Sequence, residues 1–200
     1  MLGSTVPTIG GMEKAFHWGD AWNCDAVQFY ITLSRKWQVD EIDRERVESF
    51  KDAWRESRVK EVVAHIPYLV NLVSENDLTR ERSIGRMVSE IERAKLLGVR
   101  YLVLHPGSTG KRDKKKSIDI LKESFSRVFD QIDVGNVKIL METMAGQGSS
   151  LGSSFEEMAD ILSVLENEKV FNVCFDSAHV FEAGYDISNG GYEKVIEEFE

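Results

Sequence analysis

Asn172-Val173-Cys174-Phe175-Asp176-Ser177-Ala178-His179 is the stretch that decides how this chain is read. It opens as an apolar run of the kind that forms a buried parallel strand. It closes on an acid and an imidazole three residues apart. Such a pair at the C-terminal end of a buried strand is costly without a partner, and a metal ion is the commonest partner that satisfies both groups. Three earlier runs end in the same way: Val62-Val63-Ala64-His65, Leu102-Val103-Leu104-His105 and Ile139-Leu140-Met141-Glu142.

Outward from these runs, strands are expected at residues 1–6, 27–33, 61–65, 100–105, 137–142 and 170–176. Helical periodicity covers 11–23, 40–57, 82–98, 117–132 and 155–166, and begins again at Tyr192. Ser154 and Glu157 read as a capping box, and Gly98 as a residue just past a helix end. Six strands alternating with helices, each connection long enough for a right-handed crossover, make an α/β chain with a parallel sheet. That pattern suits an open doubly wound sheet or a (β/α)8 barrel. A barrel usually takes ~250 residues. Here six βα units occupy 200 residues, and the last helical pattern runs to Glu200 without a cap or breaker. The expectation is one domain over residues 1–200, an incomplete (β/α)8 barrel of the TIM-barrel type, truncated at its C-terminal side to about three-quarters.

Composition is that of an ordinary soluble protein, 42% hydrophobic and 30% charged. No run of eighteen apolar residues and no basic-then-apolar N-terminus is present, so neither a membrane span nor a signal peptide is expected. Cys24 and Cys174 lie far apart in apolar surroundings and read as reduced core residues of a cytoplasmic protein. A net charge of −9 opposes nucleic-acid binding over the whole surface. The objection weakens if divalent cations bind the carboxylates or if basic residues gather on one face.

His65, His105, Glu142, Asp176 and His179 fall at or just past C-terminal strand ends, the end of a barrel where active sites lie. Imidazoles with carboxylates suit Zn²⁺ or Mn²⁺ better than Mg²⁺ or Ca²⁺. Any one of these residues reads more simply as a core histidine or a helix cap; five at equivalent positions favour a metal centre, with Glu142 able to bridge two ions. His17, beside Trp18, is expected at the surface or in packing, and Asp186 as a cap. There is no nucleophilic Ser/His/Asp or Cys/His arrangement and no P-loop, since Gly146-Gln147-Gly148 lacks the Gly-Lys-Ser/Thr that would follow. Lys111-Arg112-Asp113-Lys114-Lys115-Lys116 follows His105 on the same end of the sheet. Lysines ahead of a helix N-terminus oppose its dipole, which a nearby phosphate would explain; a solvated loop is the alternative. Tyr68 and Leu69 either wedge into a base step or cover the barrel mouth.

The motifs resemble those of the endonuclease IV family. Glu142-Thr143 followed by Gly146-Gln147-Gly148 and Leu151-Gly152 is similar to its E-x-x-A-G-Q-G signature, and Leu104-His105-Pro106-Gly107-Ser108, Phe175-Asp176-Ser177-Ala178-His179 with Ala183-Gly184-Tyr185-Asp186, and Tyr68 to Leu72 after His65 also match. The resemblance runs from Gly3 to the end of the chain. It implies a (β/α)8 barrel that incises double-stranded DNA 5′ to abasic sites with a centre of up to three zinc ions, Mn²⁺ being possible in their place. His65, His105, Glu142, Asp176 and His179 would be metal ligands, with Glu142 the bridging carboxylate that orients the attacking group. Arg35, Tyr68 and Leu69 would enter the lesion, and Lys111, Arg112 and Lys114 would meet DNA; the full-length protein would be monomeric and free of membrane. The chain departs from the family at Thr5 and Pro7, where a histidine and a serine are usual, and at Leu33, where a polar residue is usual. The family's last ligands have no counterpart here. A sugar isomerase or epimerase of the related xylose-isomerase-like barrels, and a non-catalytic metal- or DNA-binding remnant, are the alternatives.

Overall fold

The computed structural model describes residues 1–32, 37–38 and 41–200. Six parallel strands, β1 (Gly3–Thr5), β2 (Ala26–Phe29), β3 (Glu61–His65), β4 (Tyr101–Leu104), β5 (Lys138–Glu142) and β6 (Phe171–Cys174), pair in strict sequence order. A doubly wound sheet reverses its strand order at a switch point. No reversal occurs here, so the barrel arrangement holds, and with six strands it stays open, with β1 and β6 as its edges. Helices α1 (Lys14–Ala21), α2 (Arg44–Glu56), α3 (Asp77–Leu97), α4 (Lys114–Phe129) and α5 (Phe155–Leu165) fill the crossovers; α6 (Ser177–Glu182) and α7 (Tyr192–Phe199) follow β6. No helix among the described residues is long and apolar enough to cross a membrane.

Side chains alternate across a strand, and register turns that alternation into two faces of the sheet. Val62, Ala64, Leu102, Leu104, Ile139 and Met141 share one face and are buried in one core with Phe50 of α2, Ile91 of α3, Leu121 of α4 and Ile161 of α5. The opposite face carries His65, Val103, Leu140, Glu142 and Cys174, aligned as His65↔Val103↔Leu140 and Glu142↔Cys174. Stability is thus built under the helices, and the polar strand ends emerge on the other side. A second, smaller apolar cluster joins Phe155, Val180 and Val195 with Phe175, Tyr185, Ile187 and Phe199. In it the Tyr185 ring stacks on Phe155 at 4.0 Å, and its hydroxyl accepts the Phe155 N–H at 3.1 Å.

The structure corrects several expected boundaries. Helix α3 begins five residues before position 82, at Asp77, because Asn76 caps it by accepting the Thr79 N–H at 2.9 Å. Those added residues are polar except Leu78, which is exposed, so periodicity could not reveal them. Helix α4 begins at Lys114, not 117, capped by Asp113; Lys114, Lys115 and Lys116 stand inside its first turn, while Lys111 lies ahead of it as expected. Strands β2 and β6 stop at Phe29 and Cys174, short of positions 33 and 176. Helix α6, six residues long, is too short for periodicity to reveal. The Ser154 cap accepts the Glu157 N–H, but Glu157 reaches back to the N–H groups of Gly152 and Ser153 at 2.7 and 3.0 Å, beyond the expected box. Asp186 accepts the Ser188 N–H within a loop, while Gly191 occupies the cap position of α7. His17 is exposed and meets Trp18 edge-on at 5.4 Å, as expected of a surface role.

Gly19 shows how closely α1 approaches the sheet. A Cβ there would lie 2.6 Å from Val59 Cγ2 and 2.8 Å from Val27 Cγ1. Gly19→Ala is expected to destabilise the fold by about 1–3 kcal/mol, read as a lower urea midpoint at unchanged m-value.

Candidate metal centre

Each polar strand end contributes one donor. Nε2 of His65 lies 3.0 Å and Nε2 of His105 2.9 Å from the same atom, Glu142 Oε2. On the other side of that carboxylate, Nδ1 of His179 is 3.4 Å from Oε1 and 3.8 Å from Asp176 Oδ2. The five residues therefore form two groups, His65–His105–Glu142 and Glu142–Asp176–His179, each with its donor atoms within 4.8 Å of one another. His65 and Glu142 are buried, and the other three are half-buried. The five candidates named from sequence are all brought together at one mouth of the sheet.

The chemistry of this donor set fits a divalent cation. His65 Nδ1 stands 2.7 Å from the Ile66 carbonyl, which can only accept, so Nδ1 carries a proton and Nε2 is the nitrogen turned to Glu142, where it can donate a proton or, in place of that proton, bind a cation. Nδ1 of His179, the nitrogen nearest Glu142 and Asp176, is likewise 2.9 Å from the Thr143 carbonyl, so Nε2 is the nitrogen that would offer a lone pair. A ring that spends one N–H on a backbone carbonyl and leaves its other nitrogen free to donate a lone pair has the orientation of a metal-ligating histidine. Lone pairs of His65 and His105 aimed at a carboxylate oxygen need a proton or a cation between them. Burial pushes the Glu142 carboxyl up, but hydrogen bonds from His105 and His65, and the charge those rings carry when protonated, outweigh it and hold it well below the usual carboxylate range. Glu142 is thus an anion ready for a cation. Burial also pushes the Cys174 thiol up to about 12, with Glu142 and Asp176 adding to the effect, and this cysteine belongs to neither group of donors.

Three supporting residues, Thr143, Tyr30 and Asn71, escape sequence reasoning. Thr143 is buried; its hydroxyl accepts the Asp176 N–H at 2.8 Å while its carbonyl orients His179. Asp176 Oδ1 in turn accepts the His179 N–H at 2.9 Å and starts α6, leaving Oδ2 toward the cluster. Tyr30, just past β2, lays its ring 5.2 Å from that of His65; burial and then the Glu142 charge raise its hydroxyl pKa. Asn71 ties the loop after β3 to the next one through Ser108, donating to its carbonyl at 2.9 Å and accepting its N–H at 3.3 Å. Only the aromatic at the end of an expected strand offered a signal, for Tyr30; the other two depend on pairing across the fold.

The residues expected to touch DNA divide. Arg35 lies outside the described residues. Tyr68 is 63% exposed, whereas Leu69 is half-buried and packs on the main core. Arg112 donates to the Val73 carbonyl at 2.8 Å, and Lys114 pairs with Glu157 at 2.8 Å, so both already brace the loops. Lys111 is exposed, as are Lys115 and Lys116. Ser108 and Ser149 hydroxyls meet at 2.7 Å and join the loops after β4 and β5 into one surface.

A family model described as xylose isomerase-like TIM barrel matches residues 16–200. A probable endonuclease 4 from Geobacter sulfurreducens is 34% identical over 200 residues, covering all of this chain and 68% of that protein. An apurinic-apyrimidinic endonuclease from Caenorhabditis elegans is 34% identical over 203 residues, covering all of this chain and 51% of that protein. The crystal structure of endonuclease IV from Thermus thermophilus superposes with a TM-score of 0.85 at 28% identity, over 99% of this chain and 70% of that one.

Replacing Thr143 by Val keeps its shape and strands the Asp176 N–H. The expected loss is about 1–3 kcal/mol of unfolding free energy, with Thr143→Ser recovering most of it in the same urea titration.

Proposed function

This chain belongs to the endonuclease IV family of xylose isomerase-like TIM barrels, and on that premise we propose that it hydrolyses the DNA backbone 5′ to abasic sites, with zinc held by His65, His105, Glu142, Asp176 and His179. The observation that carries the reading is the Glu142 carboxylate shared between two groups of donors. Divalent cations held there would supply positive charge against phosphate oxygens and make a water nucleophilic at neutral pH. Glu142, held as an anion by its histidines, would orient that water. His65 and His179, fixed through Ile66 and Thr143, keep their donors aimed without reorganisation. Tyr68, exposed in the loop after β3, offers an aromatic face that would fill the gap left by a missing base, with Leu69 next to it packed on the core. Arg35 would enter the same gap. Lys111, Lys115 and Lys116 have no side-chain partner among the described residues and are the first candidates for phosphate, with Arg112 and Lys114 bracing the loop that carries them. The acidic net charge would be offset locally by cations bound at the donor cluster and by these lysines on the loop and helix start after β4.

A duplex with one abasic site tests the reading. Nicking 5′ to the lesion is expected, lost in chelator and restored by zinc. Binding with zinc but no nicking would favour a binding protein, and turnover of a free sugar would favour an isomerase. Glu142→Gln is expected to lower the nicking rate at least about a hundredfold. Replacing Lys111, Lys115 and Lys116 by alanine should flatten the slope of log Kd against log salt by about 0.9 for each lysine that meets a phosphate.

A further inference from the structure

The loop after β3 carries the exposed Tyr68, and the loop after β4 follows directly from His105. One side-chain amide joins the two. Asn71 Oδ1 accepts the Ser108 N–H at 3.3 Å and the Val73 N–H at 3.2 Å, while Nδ2 donates to the Ser108 carbonyl at 2.9 Å. Both backbone groups of Ser108 are thus gripped from the neighbouring loop. Gly107 permits the approach: its φ is +117°, and a Cβ there would lie 2.6 Å from Asn71 Oδ1. Behind the amide, the Asn71 N–H is donated at 2.9 Å to Ser83 Oγ of α3, a wholly buried residue. The next two carbonyls are held as well, Leu72 by the Ser124 hydroxyl of α4 at 2.7 Å and Val73 by Arg112 at 2.8 Å.

Tyr68 has no such support of its own. Its side chain is 63% exposed and has no hydrogen-bond or ring partner among the described residues. The ring is therefore placed by the backbone beneath it, and that backbone is fixed three residues later at Asn71. Aspartate could not replace the amide, since it has no N–H to donate to the Ser108 carbonyl. We propose that Asn71 is a positioning residue that holds Tyr68 at a set offset from His105, so that the ring entering DNA and the donor cluster share one frame. The DNA part of this inference rests on the endonuclease reading; the grip on Ser108 does not.

Amide hydrogen exchange in the DNA-free protein reads the grip. Exchange of the Ser108 N–H is expected to be about tenfold faster in Asn71→Ala, with a smaller increase in Asn71→Asp, which keeps the acceptor. The Kd of the zinc-loaded protein for an abasic duplex should weaken about tenfold in Asn71→Ala, at unchanged zinc content. A double-mutant cycle separates positioning from general loosening: added to Tyr68→Ala, Asn71→Ala should weaken binding by less than about a further twofold. Asn71→Asp in the same cycle decides the matter if Asn71→Ala does not fold. Unchanged exchange at Ser108 overturns the grip, and losses that multiply in the cycle overturn its action through Tyr68. If the unsubstituted chain binds abasic and intact duplexes alike, the endonuclease reading fails and the DNA role falls with it, while the exchange rates still judge the grip.

Discussion

One buried carboxylate organises this molecule. Glu142 sits at the end of β5 with imidazoles on both sides, two of them sharing a single oxygen. An isolated charge in such a place would cost several kcal/mol, and only convergent hydrogen bonds, protons or cations make it tolerable. The convergence requires strands that are parallel, adjacent in sequence order and in register, because a one-residue slip would turn a donor to the helix-covered face. The sheet topology can thus be understood as the condition for keeping an anion at one mouth of the fold.

The parts of this design that are local were legible in the sequence. Buried parallel strands leave unbroken apolar runs, so an abrupt change to His or Glu at the end of a run marks both the strand and its donor. His65 and Glu142 close β3 and β5 at the expected residue. The start of α3 was not legible, because its first turn is polar and its cap is a single asparagine. The lysine run announced charge but not occupancy; Arg112 and Lys114 are engaged by Val73 and Glu157, which are distant in sequence. Thr143 likewise gains its role only when β5 pairs with β6 and brings Asp176 to its hydroxyl. The ring orientations of His65 and His179, too, depend on backbone carbonyls that no residue pattern predicts.

The two faces of the sheet divide the work. Core residues such as Leu102 and Ile139 lie under the helices, one peptide away in strand direction from residues that face the donors. Substitutions that tune packing on the helix side can leave donor geometry untouched. The loops after β3, β4 and β5, laced together by Asn71, Ser108 and Ser149, move the same principle to the rim. A surface made of three joined loops presents a continuous contour, while each loop remains attached to its own strand.

The two apolar clusters carry a further consequence. His65, His105 and Glu142 rise from strands rooted in the large core, whereas Asp176 and His179 lie at the start of a short helix whose Val180 belongs to the small aromatic cluster around Phe155 and Tyr185. Cooperative units of unequal packing open at unequal free energies. Fraying of the Phe155–Tyr185 stack would therefore displace Asp176 and His179 together as a body while His65, His105 and Glu142 kept their places, so the two halves of the donor cluster are tied to packing of unequal strength.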